Sequence, residues 1–177
     1  MKSVTLHDKT FGLCISSAEI QAAVDRVAQS IIDDMKDSCP LFLVVLNGAF
    51  MFAGDLFKRI NFDCEVTFIK LASYVGTQST GNIVKLIGLS EDITGRDVIV
   101  IEDIVDSGIT MGSMLEELTT LNPASIRIAS FLFKPAAFSK NFKIDYIGLS
   151  IPNDFIVGYG LDYDGLGRNL PDIYKIK

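Results

Sequence analysis

The stretch that decides the fold reads Asp97-Val98-Ile99-Val100-Ile101-Glu102-Asp103-Ile104-Val105-Asp106-Ser107-Gly108-Ile109-Thr110. It begins as a continuous β-branched run, the pattern of a strand buried on both faces. The adjacent carboxylates Glu102 and Asp103 fall where that strand is expected to end. A loop of small and hydroxylated residues follows, and the pattern beyond it predicts a helix from Met111 to Leu121. Gly108 permits a tight turn. The free N–H groups of a helix start, joined by the Ser107 and Thr110 hydroxyls, can cradle a phosphate. Carboxylates accept hydrogen bonds from vicinal hydroxyls or meet a cation. Hydroxyl acceptors beside a phosphate cradle describe a site for a ribose 5-phosphate.

Taken alone, Asp106 to Thr110 also reads as an ordinary Asp-capped turn. The buried strand and the acidic pair before it favour the site. The loop is not a Walker A motif, because G-x-x-x-x-G-K-[ST] is absent, and no G-x-G-x-x-G follows a strand. A phospho-acceptor receiver domain is disfavoured by the glycine and hydroxyls directly after the acids.

The flanking chain supplies the rest of an α/β domain. Ser16 and Glu19 fit a capping box, and Ile20, Val24, Val27, Ile31 and Met35 recur at helical spacing up to about Lys36. Leu41 to Leu46 is a second buried strand, followed by the turn Asn47-Gly48 and a helix over about Phe50 to Arg59. Further strands are expected over Glu65 to Leu71, Ile83 to Leu89, Ser125 to Phe133, Asp145 to Ser150 and Ile173 to Ile176. Ser73 to Asn82 is polar, glycine-bearing and without periodicity, and reads equally as a solvated hairpin loop or a mobile lid. Strands and helices alternating at this spacing predict a mostly parallel sheet with helices on both faces.

The composition sets bounds. The 177 residues fit one domain, and 49% hydrophobic residues can bury a sizeable core. A net charge of −6, a pI near 4.7 and scattered Lys and Arg disfavour a nucleic-acid partner. Cys14, Cys39 and Cys64 form no C-x-x-C, so they are expected as thiols in the core of a cytoplasmic protein rather than a zinc or disulfide framework. The N-terminal residues show no apolar signal region. Leu41 to Phe57 is broken by Asn47, Gly48, Gly54 and Asp55, so no membrane span is expected. His7, the one histidine, lies near the terminus and receives no catalytic role.

Val98 to Thr110 resembles the phosphoribosyl-pyrophosphate motif of the type I phosphoribosyltransferases. Ser73-Tyr74 opening a long loop, Leu132-Phe133-Lys134-Pro135, and Ile151-Pro152-Asn153-Asp154-Phe155-Ile156-Val157-Gly158-Tyr159-Gly160-Leu161-Asp162-Tyr163 are similar to the hypoxanthine-guanine branch. The likeness runs from about Leu41 to the C-terminus. It implies a single phosphoribosyltransferase domain over residues 1–177, a lid at about 73–83 and a small hood of terminal segments. It also implies transfer of a phosphoribosyl group to a 6-oxopurine in purine salvage.

The resemblance further implies residue roles. Glu102 and Asp103 hold the ribose hydroxyls, directly or through Mg2+. Asp106 serves as general acid/base near N7 of the purine. Asp106, Ser107, Gly108, Ile109 and Thr110 bind the 5′-phosphate. Lys134 donates to the purine O6, Phe155 stacks on the base, and the Ile156 backbone meets its edge. Asp162 adjoins the purine subsite and binds magnesium. Arg168 approaches pyrophosphate with Asn47 and Gly48, and Ser73 and Tyr74 belong to the lid. A homodimer or homotetramer is implied as well. The family carries Lys or Arg in the loop where this chain has Asn47-Gly48-Ala49, so a backbone contact is expected there instead, through the non-proline cis peptide the family shows at this point. The competing readings are an RNA-binding regulator on the same scaffold, which would need a basic face, and a xanthine-preferring enzyme.

Overall fold

The computed structural model of the chain describes residues 2–74 and 83–177, with side chains outside 71–74 and 83–87. The main sheet holds β3 (Leu41–Leu46), β4 (Glu65–Tyr74), β5 (Ile83–Ile87), β6 (Asp97–Val105), β7 (Ser125–Phe133) and β8 (Tyr146–Ser150). Their spatial order is β5-β4-β3-β6-β7-β8. All neighbours are parallel except β5, which returns antiparallel along β4. From β3 the chain moves to one side to form β4, then crosses back to form β6 on the other side. The strand order therefore reverses between β3 and β6, and a crevice opens there beyond their carboxyl ends.

Alternation along the central strands explains the two helical layers. Phe42, Val44, Ile99 and Ile101 face α1 (Ser17–Met35) and α2 (Phe50–Phe57), packing with Ile20, Val24, Phe52 and Leu56. Leu41, Leu43, Val98 and Val100 face α3 (Ile109–Thr119), packing with Met111, Met114 and Leu118. Val98 to Ile101 are wholly buried, which is why that run carries no polar side chain. Each such side chain contributes about 1.5–3 kcal/mol by burial. The first helix starts as expected: Ser16 is its N-cap and Glu19 completes the capping box.

A second, antiparallel sheet forms the hood, with β1 (Ser3–Leu6), β2 (Lys9–Ile15), β10 (Ile173–Ile176) and β9 (Ile156–Val157) in the order β1-β2-β10-β9. Its small core is Phe11, Val157 and Tyr174. Asp172, buried at its base, accepts from the Ser17 N–H at 2.8 Å, from the Tyr174 hydroxyl at 3.2 Å and from the Lys2 ammonium. The hood is thereby tied to the start of α1.

Several expectations are corrected. β1, β2 and β9 were not anticipated, because Phe11 is the only fully buried side chain in β1 and β2 and β9 has just two residues. β6 does not end at the acidic pair but runs to Val105, since β7 stays paired with it after β3 has diverged at Ile101. α3 begins two residues early, at Ile109, and ends at Thr119, and α2 ends at Phe57. The cysteines are not core residues: Cys14 and Cys39 are exposed and Cys64 is half-buried, all as free thiols. The Ser73↔Val84 and Tyr74↔Ile83 pairs join β4 to β5. The remainder of the expected lid lies outside the described residues. No helix among the described residues is long and apolar enough to cross a membrane.

Candidate active site

Glu102 and Asp103 lie on β6 just past Ile101, the last residue paired with β3. Both are half-buried at the crevice. Burial, reinforced by the neighbouring Asp103 charge, pushes the Glu102 carboxyl well above the usual carboxylate range. Burial also raises Asp103, although hydrogen bonds from the Ile104 N–H at 2.7 Å and elsewhere, and the Arg168 charge, work against it. Two acids desolvated side by side make a place where a cation or hydroxyl donors are favoured.

The loop after β6 encloses a pocket of about 120 Å³ lined by Glu102 and residues 104–111. Gly108 is the N-cap of α3 with φ +79°, the left-handed region. A Cβ there would lie 2.6 Å from the Phe138 ring, so glycine is required for both conformation and space. The Ser107 hydroxyl accepts from the Ile109 N–H at 3.3 Å. Ile109 and Thr110 are exposed on the first turn of α3. The segment after β7 braces this loop: the Ser139 N–H and hydroxyl donate to the Ser107 carbonyl at 3.3 and 3.4 Å. Nothing in the sequence marked Phe138 or Ser139, whose role depends on where β7 delivers the chain.

Lys134 leaves the end of β7, and its ammonium donates to Asp106 Oδ2 at 2.8 Å. Lys134 is nearly buried while Asp106 is half-exposed, so the pair sits at the rim of the pocket. Phe155, 47% exposed, stands before β9 against Tyr163 and Phe11. Ile156 is buried in β9 and pairs with Lys175. Phe155 is thus an exposed ring backed by two aromatic neighbours.

The β3–α2 loop packs against the acidic pair at Asp103. The Leu46–Asn47 peptide is cis, as expected, Asn47 is exposed and Gly48 is buried. A Cβ on Gly48 would sit 1.4 Å from Asp103 Oδ2, so the loop backbone lies directly on the carboxylate. Arg168 bonds Asp162 Oδ1 at 2.5 Å and the Gly160 carbonyl at 2.7 Å, and Asp162 also accepts from the Gly165 N–H at 2.7 Å. Asp162 does not join Glu102 and Asp103 in one cluster. Among the described residues no three His, Cys, Asp or Glu side chains converge. Ser73 and Tyr74 end β4.

A family model described as a phosphoribosyl transferase domain matches residues 16–164. A hypoxanthine phosphoribosyltransferase of Escherichia coli K12 is 39% identical over 170 residues, covering 94% of this chain and 96% of its own length. The chain belongs to the hypoxanthine(-guanine) phosphoribosyltransferase family. A hypoxanthine-guanine phosphoribosyltransferase of Mycobacterium tuberculosis H37Rv is 38% identical over 163 residues, covering 88% of this chain and 81% of its own. A crystal structure of a hypoxanthine-guanine phosphoribosyltransferase from Bacillus anthracis superposes with a TM-score of 0.86 at 35% identity, covering 93% of this chain and 98% of that one. The parallel sheet, the antiparallel hood and the enzyme class are thus shared features of this phosphoribosyltransferase family and this chain.

Proposed function

We propose that the protein transfers the 5-phosphoribosyl group of phosphoribosyl pyrophosphate to a 6-oxopurine, hypoxanthine and guanine foremost, in purine salvage. The observation that carries this reading is the convergence of Lys134 on Asp106 beside the phosphate-sized pocket and the acidic pair. The 5′-phosphate enters the pocket of residues 106–110. Glu102 and Asp103 accept from the ribose hydroxyls. The base stacks on Phe155, its edge meets the Ile156 backbone, and Lys134 donates to O6. That donation selects an oxo group over an amino group at position 6, because an amino group offers Lys134 a donor instead of an acceptor.

Displacement of pyrophosphate builds positive charge on the sugar and negative charge on the leaving group. Asp106 takes the proton from the purine as its nitrogen attacks C1. Arg168 and the backbone of Asn47 and Gly48 stabilise the departing pyrophosphate. Mg2+ fits the donor set: it binds through one or two carboxylates with substrate oxygens and water, and needs no cage of three protein ligands. Glu102 and Asp103 would hold it on the sugar side and Asp162 on the pyrophosphate side, where it would neutralise charge on the leaving group.

The chain is read as one functional unit over residues 1–177, with a closing lid at about 73–83 that excludes water from the sugar cation. A cytoplasmic homodimer or homotetramer accords with this reading. So does the set of free thiols, which suits a reducing compartment. Pyrophosphate release, measured with hypoxanthine, guanine, xanthine and adenine plus phosphoribosyl pyrophosphate and magnesium, tests the proposal. Release with the first two and none with adenine is expected. No release with any oxopurine would refute it.

A further inference from the structure

Three consecutive residues, Gly158, Tyr159 and Gly160, have positive φ angles of 102°, 49° and 98°. They form a tight turn closed by paired Gly158 and Leu161 backbone bonds at 3.0 and 3.1 Å. The outer two positions are glycine. A tyrosine at the middle one adopts a conformation that L side chains rarely take, and such positions persist only where the surroundings hold them. Tyr159 is 3% exposed, and its ring packs on Phe131 with centroids 4.9 Å apart. Its hydroxyl bonds Asp55 Oδ2 on α2 at 2.9 Å. Gln21 on α1 donates to the same carboxylate oxygen at 2.7 Å. These donors, with Lys58, hold the Asp55 carboxyl below its ordinary range despite its burial.

The turn bears directly on the candidate site. A Cβ on Gly160 would fall 2.0 Å from the Gly48 carbonyl oxygen, and one on Gly48 would fall 1.4 Å from Asp103 Oδ2. The loop of Asn47 and Gly48 is thus sandwiched between the Gly160 backbone and the Asp103 carboxylate. The same loop runs into α2, which carries Asp55. It has no cationic side chain, so its hold on an anion rests on backbone N–H groups and the Asn47 amide. Those groups are useful only at a fixed position.

We propose that Tyr159 is a positioning residue: its hydroxyl, anchored on Asp55, clamps the Gly160 backbone onto the Asn47-Gly48 loop and so sets that loop's grip on pyrophosphate. The proposal rests on the phosphoribosyltransferase reading above. Tyr159 touches no reacting atom. It acts through Gly160, and its effect falls on the sugar-pyrophosphate substrate and not on the purine, which binds against Lys134 and Phe155.

Steady-state kinetics of the wild type, Tyr159→Phe, Asp55→Asn and Asp55→Ala test it, with each substrate varied at saturating partner and magnesium. Tyr159→Phe keeps the ring on Phe131 and removes only the hydroxyl. It is expected to raise KM for phosphoribosyl pyrophosphate about tenfold, the size of one lost hydrogen bond to a charged group. Its hypoxanthine KM should stay within about twofold, since a loop clamp leaves the base subsite untouched, and any fall in kcat should be smaller than the rise in KM for phosphoribosyl pyrophosphate. Asp55→Asn retains a neutral acceptor, so its KM should lie between those of the wild type and Tyr159→Phe. Asp55→Ala, which also removes the Gln21 and Lys58 contacts, raises that KM at least as far, and a Tyr159→Phe/Asp55→Ala double variant raises it no further than Asp55→Ala alone, as members of one contact behave. An unmoved KM in Tyr159→Phe, or equal losses in all three parameters, overturns the inference while the wild-type activity stands. A wild type that releases no pyrophosphate overturns the functional reading, and the inference falls with it.

Discussion

Lys134 Nζ lies 2.8 Å from Asp106 Oδ2, so the residue proposed to meet the purine O6 and the residue proposed to meet its N7 are bonded to each other. The pair brings the ends of β6 and β7 together at the mouth of the pocket. A base that enters must take over part of Lys134 and leave Asp106 free to accept a proton. The two residues therefore separate in their kinetic signatures. Asp106→Asn keeps a partner for Lys134 but removes the base; kcat should fall roughly 10²-fold or more, with the purine KM little changed. Lys134→Met should raise the purine KM by roughly 10- to 100-fold, the weight of a charge-assisted hydrogen bond. Initial-rate measurements with hypoxanthine check both, and an Asp106→Asn enzyme close to wild type would remove Asp106 from proton transfer.

Gly48→Ala places a methyl group on top of the Asp103 carboxylate, 1.4 Å from Oδ2. Either the loop or the carboxylate must move by more than an ångström. A displacement of that size costs on the order of 10² in rate. The expected protein folds, as judged by its thermal transition, but turns over roughly 10²-fold more slowly. Wild-type turnover in Gly48→Ala would mean that the loop and Asp103 are not in register during the reaction.

Asn47→Lys introduces a cation at an exposed position in the β3–α2 loop. Exposed ion pairs contribute little, so KM for phosphoribosyl pyrophosphate should fall by up to about fivefold. The gain should shrink as ionic strength rises, because exposed charges are screened. An unchanged KM at low salt would count against a pyrophosphate contact in this loop.

The acidic pair makes stability depend on pH in a defined direction. Glu102 and Asp103 have folded-state pKa values raised above their unfolded ones, chiefly by burial. The folded protein then binds more protons than the unfolded chain, so these groups lose stability for the fold as pH climbs from about 4, the unfolded range, through the raised folded values. Above that window the ionised pair opposes folding, and a divalent cation held there, as proposed, would offset it. Magnesium should raise the Tm at pH 8 and have much less effect at pH 5. Glu102→Gln should melt higher than wild type at pH 8 without magnesium and respond less to its addition. Thermal unfolding at the two pH values, with and without the ion, checks the sign.

Much of the sheet was readable from local pattern. β3, β7 and β10 have the expected bounds, and the alternate residues of α1 that recur at helical spacing are the ones buried. Uninterrupted apolar runs have few alternatives to a doubly covered strand, and a capping box specifies a helix start within three residues. Of the hood strands, only β10 was readable from local pattern. The hood strands cover a core of only three fully buried residues, and Leu13 and Cys14 on β2 are exposed, so no clean alternation survives there.

What the sequence by itself determined is the set of chemical parts: a buried apolar run leading into two acids, a glycine that must turn, a lysine at another strand's end, and an aromatic near the C-terminus. Their types and spacings are local, and local sterics and burial dictate them. Only the tertiary structure decided which parts meet. Reversal of strand order between β3 and β6 opens the crevice, parallel pairing of β6 with β7 sets Lys134 on Asp106, and the turn at Gly160 seats the β3–α2 loop against Asp103. These contacts join residues from about 30 to more than 100 positions apart. The physical reason is that such pairs meet only once the sheet has chosen its order and register, a choice made by the packing of whole faces rather than by any short stretch.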